Sequence, residues 1–178
     1  MNEKQALFAG GCFWCVEAAM RIHDGITGVV SGYALDGRDL PDGVSQVSYE
    51  DITQKSIRAR EAILVSYLPE ELPYIQLIEY FVSIIDPYDA GGQFHDRGYS
   101  YTTAIYTQSH EEALLVRQII QNMESKTDKT IVTVIENMAD TQFFPAEEHH
   151  QKYKEKNPEH YAQYYRGSGR QTFFTNNT

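Results

Sequence analysis

The stretch Gly10-Gly11-Cys12-Phe13-Trp14-Cys15-Val16-Glu17 decides the reading of this 178-residue chain, because it carries both cysteines and the only tryptophan. The apolar run Ala6-Leu7-Phe8-Ala9 before it reads as a short buried strand, and Val16-Glu17-Ala18-Ala19-Met20-Arg21-Ile22 after it reads as helix. Cys12 is therefore expected where a strand turns through two glycines into a helix N-terminus. Unpaired backbone N–H groups and the helix dipole favour an anion there, a setting that lowers a cysteine pKa from about 8.5 toward neutrality. A Cys-x-x-Cys spacing at such a turn serves redox chemistry or supplies half of a metal site. Zinc would need two more ligands. Neither a second cysteine pair nor a finger-like spacing among His95, His149 and His150 offers them, so no metal is expected. Redox thiol chemistry leads over the plainer reading of both cysteines as small core residues.

Hydrophobic residues make up 42% of the chain and charged residues 22%, which is ordinary for a globular protein, and the length suits one catalytic domain over 1–178. A net charge of −10 argues against a nucleic-acid or anionic-membrane binder. No apolar run approaches the roughly 20 residues of a membrane span. Met1-Asn2-Glu3-Lys4-Gln5 lacks the apolar core of a signal peptide. A cytoplasmic location is expected, where a close cysteine pair is more often catalytic than structural.

Beyond the first helix, Val29 to Tyr33 reads as a strand and Asp36 to Ser45 as an acidic surface loop. Val47 to Ile52 reads as a short turn or strand entry. Arg60 to Tyr67 alternates as a strand, with Glu61 on the face of Ile63 and Val65. A carboxylate at the head of an apolar face is either a strand-end residue in water or a buried acid, and composition does not choose between them. Pro73 opens a helix carrying Tyr74, Leu77, Ile78, Phe81 and Ile85, which stops at Asp86-Pro87. Tyr88 to Ser100 reads as a loop, Tyr101 to Thr107 as a strand, and Ser109 with Glu112 as a capping box on the next helix. Thr130 to Ile135 is a β-branched strand. Phe143 to Gln151 reads as a helix start, Asn157-Pro158 as another, and 167–178 as a flexible tail. The order of elements gives an α+β fold, a two-layer α/β sandwich with a ferredoxin-like βαβ core and a mixed sheet.

The motifs Gly11-Cys12-Phe13-Trp14, Gly32-Tyr33, Tyr49-Glu50 and Glu61-Ala62 occur in that order. Asp86-Pro87, Gln93, Asp96, Gly98, Tyr101, Phe144-Pro145-Ala146-Glu147 and His150-Gln151 follow. This ordered set, spanning roughly residues 6 to 160, resembles the type A peptide methionine sulfoxide reductase (MsrA) family. The resemblance implies reduction of methionine-S-sulfoxide, free or in proteins, without a cofactor. It aligns Cys12 with the nucleophile, Phe13 and Trp14 with the wall holding the substrate methyl group, and Glu61 with the acid that protonates the sulfoxide oxygen. Tyr33 and Tyr101 align with hydroxyls that bond this oxygen, and Asp96 with a supporting carboxylate. The residue types suit the reaction, since a sulfoxide sulfur is a poor electrophile until its oxygen receives a proton. The acid must then stay protonated near neutral pH, which burial among apolar groups provides.

The chain departs from the family in lacking tail cysteines, so if a protein thiol resolves the sulfenic acid it is Cys15, recycled by a thioredoxin-like dithiol, with direct reduction by an outside thiol as the alternative. Ile57-Arg58-Ala59 replaces the family's Thr-Gly-His, and Thr102-Thr103 its Arg-Ser. The partners expected are the sulfoxide and that reductant, acting on a monomer. Two other readings stand beside this one. A thioredoxin-like Cys-x-x-Cys oxidoreductase would leave Glu61 unexplained, and a non-catalytic aromatic-pocket module would have no use for the thiols. His149 and His150 read as a solvated helix face or local packing.

Overall fold

The computed structural model describes residues 2–176. Strand β1 (Lys4–Gly10) lies between β3 (Arg60–Tyr67) and β6 (Thr103–Thr107), antiparallel to both. On one flank β2 (Ile26–Asp36) pairs antiparallel with β3, and β8 (Thr141–Pro145) pairs antiparallel with β2. On the other flank β7 (Val134–Asn137) joins β6 in parallel. The mixed sheet therefore runs β7-β6-β1-β3-β2-β8. Helix α1 (Phe13–Met20) links β1 to β2 with β3 between them, and α3 (Tyr74–Ser83) links β3 to β6 with β1 between them. These interleaved βαβ units are the ferredoxin-like core expected from the order of elements.

From Ala6 onward strand β1 is an unbroken apolar run because both of its faces are covered there. Ala6 and Phe8 join the larger core with Val16 and Met20 of α1, Ile78 and Phe81 of α3, and Val116 and Ile119 of α4 (His110–Glu124). Phe8 stacks on Phe81 at 4.6 Å between ring centroids. Leu7 and Ala9 face a second cluster with Ala34, Ala62, Ala104 and Tyr106. On that side Arg60 is buried, donating to Thr102 at 2.9 Å and pairing with Glu136 at 3.2 Å.

Several local expectations change. Val47 to Ile52 enters a helix, α2 (Tyr49–Thr53), started by a full capping box between Ser48 and Asp51. The loop after Pro87 contains a small hairpin, β4 (Gly92–Gln93) with β5 (Asp96–Arg97), and Tyr101 ends a 3-10 turn rather than beginning β6. Ser109 accepts from the Glu112 amide, but Glu112 turns its carboxylate to the amide of Gln108. Thr130 to Thr133 precede β7 instead of belonging to it. Phe143 to Pro145 form a strand, not a helix start: the backbone pairs with β2, and Gly32 leaves room where a Cβ would meet the Phe143 ring and the Phe144 carbonyl.

The C-terminal part returns across α1 as α5 (Tyr153–Lys156), α6 (Pro158–Gly167) and α7 (Arg170–Asn176). The stretch expected to be a flexible tail thus forms α7, with Ser168 and Arg170 buried; residues 177 and 178 lie outside the described residues. Asn157 precedes α6 without a side-chain cap bond. Glu17 of α1, itself buried, accepts from the Lys152 amide at 2.9 Å and so fastens the return segment where Lys152 takes a left-handed φ of 52°. No described helix is long and apolar enough to cross a membrane.

Candidate active site

β1 delivers the chain to Gly10, and α1 begins at Phe13 with Cys12 as its N-cap. Between them Gly11 has φ +81°, and a Cβ there would stand 2.6 Å from the Gln93 side chain, so the turn requires glycine. Gln93 is held in turn by Asp86, whose amide donates to it at 2.8 Å and whose carbonyl accepts from it at 2.7 Å. The Cys12 carbonyl accepts from the amides of Cys15 and Val16 at 3.1 and 3.3 Å. Two of the first amides of the helix are spent in that way. A third, that of Phe13, donates at 2.9 Å to Oε2 of Glu61.

Glu61 is 2% exposed, so the buried alternative holds. Cys12, Phe13, Trp14, Glu61, Asp96 and Tyr101 meet around one small chamber of about 50 Å³, with Tyr49 and Tyr164 completing its lining. A chamber of this size suits the end of a side chain rather than a whole metabolite. Tyr49 and Tyr101 stand together in the lining beside the Glu61 carboxyl. Tyr164 of α6 lies against the Cys12 thiol and donates its hydroxyl proton to Asp96.

Tyr33 does not join this group. It sits across the sheet from Glu61 in the β2–β3 register, but it is fully buried and its hydroxyl donates to Oε2 of Glu147 at 2.8 Å. Glu147 uses its other oxygen to accept from the Tyr49 amide at 2.9 Å, so Tyr33 supports Tyr49 from behind. The second pocket hydroxyl is Tyr49, not Tyr33. Trp14 is held by stacking on Tyr153, 3.8 Å between centroids and 8° between planes. Its Nε1–H donates to Nδ1 of His150 at 3.1 Å. His150 is buried packing behind the aromatic wall, and His149 is exposed.

Cys15 turns the other way. It lines an apolar groove of about 600 Å³ between α1 and the returning helices, with Ala18, Tyr161, Tyr165 and Arg170. The larger of the two concavities therefore lies behind the chemistry and touches it only through this second sulfur. Both cysteines are buried free thiols.

The electrostatics correct one expectation. Burial pushes the Cys12 thiol up rather than down, and the hydrogen bond with Cys15 adds to this. Cys15 moves down, chiefly through the hydrogen bond it receives from Cys12, with burial opposing and Arg170 helping. Burial also lifts Glu61 well above the usual carboxylate range, the neighbouring Cys12 sulfur adds to that, and the Phe13 amide works against it. The Cys12 and Glu61 shifts both favour the neutral forms, a carboxylic acid beside a thiol. Among the described residues, no group of three or more His, Cys, Asp or Glu side chains is arranged to hold a metal ion.

Sequence reasoning does not pick out Tyr164, Tyr153 or Arg170 as parts of the site. Tyr49 and Glu147 stand within quoted motifs but without an assigned role.

Residues 4–178 match the family model described as peptide methionine sulfoxide reductase. The chain is 41% identical over 177 residues to peptide methionine sulfoxide reductase MsrA of Bacillus velezensis, covering 97% of this chain and 96% of that one. It is 37% identical to MsrA of Bacillus subtilis, covering 98% and 97%. Among solved structures, reduced Mxr1 from Saccharomyces cerevisiae superposes with a TM-score of 0.80 at 31% identity, over 88% of this chain and 87% of that one. With this coverage, and with a thiol and an acid facing one small chamber, the chain belongs to the peptide methionine sulfoxide reductase family.

Proposed function

We propose that the protein reduces the S epimer of methionine sulfoxide, free or in proteins, in a single catalytic domain working in the cytoplasm. The observation that carries this reading is the placement of the buried Glu61 carboxyl, its pKa raised by burial, beside the Cys12 thiol. The sulfoxide enters with its methyl group against Phe13 and Trp14 and its oxygen toward Glu61, Tyr49 and Tyr101. Glu61 gives its proton to that oxygen as Cys12 Sγ attacks the sulfur. The bond this forms between Cys12 Sγ and the substrate sulfur breaks again as the protonated oxygen leaves that sulfur for Cys12 Sγ, giving the sulfenic acid and free methionine. The thiol proton of Cys12 restores the Glu61 acid. Sulfoxide sulfur is reduced by two electrons, and Cys12 is oxidised by two. General acid catalysis of this kind is worth about 10²–10⁴-fold, and the two hydroxyl donors add electrostatic stabilisation where negative charge develops.

Cys15 then condenses with the sulfenic acid, giving the Cys12–Cys15 disulfide and water. The packing of the two cysteines in one buried cluster and their positions at the first turn of α1 support this assignment. A dithiol of the thioredoxin type returns both thiols by exchange. Mxr1, the yeast protein this chain resembles, has also been solved in complex with Trx2, which supports that class of reductant here.

The test is a single turnover without reductant on variants of the two cysteines. Cys15→Ser keeps the first equivalent of methionine and accumulates sulfenic acid, while Cys12→Ser forms none. Methionine formation by Cys12→Ser at the parent rate refutes the mechanism.

A further inference from the structure

Arg170 is 2% exposed, and among the described residues no carboxylate forms an ion pair with it. Its Nη1 donates to the Ile84 carbonyl at 3.1 Å, its Nη2 to the Gly10 carbonyl at 3.4 Å, and its guanidinium lies 4.5 Å from the centroid of the Phe94 ring. Two carbonyls and a ring face do not neutralise a desolvated cation, and a buried charge without a counter-charge is costly. The site thus calls for an anion, and one group on the same wall can become one. Cys15 and Arg170 line the groove together, with Tyr161 and Tyr165 on the same wall and packed against Cys15.

We propose that Arg170 is the counter-cation of the resolving sulfur, holding Cys15 as the thiolate that attacks oxidised Cys12. The inference rests on the reading of Cys15 as the resolving thiol. In that step the Cys15 thiolate attacks the Cys12 sulfenic sulfur, an S–S bond forms, and the S–O bond breaks. The departing hydroxide takes up a proton and leaves as water. Cys15 enters as a reduced sulfur, Cys12 enters as the oxidised one, and no outside reagent is needed. The groups facing Cys15 from the surrounding elements are Cys12 on its own helix, Asp96 from β5, Tyr161 and Tyr165 from α6, and Arg170 from α7; Tyr80, Lys154 and Arg166 complete the titratable lining of the groove. Of these, Arg170 is the cation whose charge favours an ionised sulfur at Cys15, and Asp96 opposes it. Holding the Ile84 and Gly10 carbonyls from one side chain beside the Cys15 wall also explains why the last described helix is anchored by a buried arginine. Arg170 acts through Cys15 and is a positioning residue.

The test reads the charge on Cys15 itself. In a Cys12→Ser protein, ultraviolet thiolate absorbance followed against pH gives the Cys15 midpoint, and the serine hydroxyl can still donate a hydrogen bond in place of the first thiol. The midpoint is expected below the ordinary thiol value of about 8.5. Adding Arg170→Gln is expected to raise it by about one to three pH units, and Arg170→Lys to keep most of the lowering. In the two-cysteine protein, Arg170→Gln is expected to slow disulfide formation after the methionine burst about tenfold or more at neutral pH. A Cys15 midpoint at or above the ordinary value with Arg170 intact overturns the proposal even if no Arg170 variant folds. So does an unmoved midpoint in Arg170→Gln. A lowered, Arg170-dependent midpoint in a protein whose cysteines never join would leave the ion pair standing and remove the resolving role of Cys15.

Discussion

The amide of Phe13 donates to Oε2 of Glu61 at 2.9 Å, so the first turn of α1 grips the acid that faces its own N-cap cysteine. A β3 side chain and a helix terminus from a different part of the chain are thereby locked at one end of the sheet. The bond also uses the amide that would otherwise favour a Cys12 thiolate, which fits a site that keeps thiol and acid neutral until substrate arrives.

The pH dependence of the first step follows from Glu61. Its pKa is raised, so the acid form is present at and below the shifted value and is lost as pH rises through it. Methionine formation in single turnovers should fall along that alkaline limb. Glu61→Gln should lower the rate about 10²–10⁴-fold and abolish the limb. Stopped-flow or quenched-flow rates across pH check both.

The same shift has a cost in stability. Because the folded pKa lies above the unfolded one, Glu61 loses stability for the fold as pH rises from about 4.3 upward through the shifted value. Glu61→Gln should therefore melt higher than the parent under alkaline conditions and close to it in acid. The expected scale is about 2–4 °C for each kcal/mol relieved in a chain of this size. Thermal melts at several pH values test it.

The tyrosines separate. Tyr49→Phe and Tyr101→Phe each remove a donor facing the sulfoxide oxygen and should lower the single-turnover rate, by up to about 10²–10³-fold. Tyr33→Phe leaves Glu147 with an unpaired oxygen behind the site and should cost about 1–3 kcal/mol in denaturant unfolding. Its effect on the chemical step should be much smaller than either of the others.

Glu17 is a buried acid with a structural task. Burial raises its pKa, and the Lys152 amide it binds opposes that rise. Glu17→Ala should cost about 1–3 kcal/mol and free the segment that presses Tyr153 onto Trp14. A rise in KM for a sulfoxide peptide larger than the fall in kcat is expected, measured at saturating reductant.

Much of this was legible in the sequence, for physical reasons. Ala6 to Ala9 announced β1, because a strand covered on both faces must be apolar throughout, and the alternation from Arg60 to Tyr67 put Glu61 on the correct face. Cys12, Glu61, Asp96, Tyr101, Phe13 and Trp14 fall around one chamber as expected. Tyr33 misled because a Gly-Tyr motif at the right register says nothing about where a hydroxyl ends, and Glu147, 114 residues away, claims it. Phe143 to Pro145 misled because an aromatic pair before proline pairs with β2 only through the space left at Gly32. Tyr164 and Arg170 were hidden in polar sequence, since nothing local signals that α6 and α7 fold back over α1.

The central claim, that Cys12 is oxidised by the sulfoxide and then joined to Cys15, is tested most directly by mixing fully reduced protein with separated sulfoxide epimers and no reductant. The account predicts one equivalent of methionine from the S epimer, none from the R epimer, both thiols lost, and a single Cys12–Cys15 bond found by peptide mass analysis. Methionine in excess of one equivalent, or a full equivalent with Cys12 still a free thiol, would contradict it.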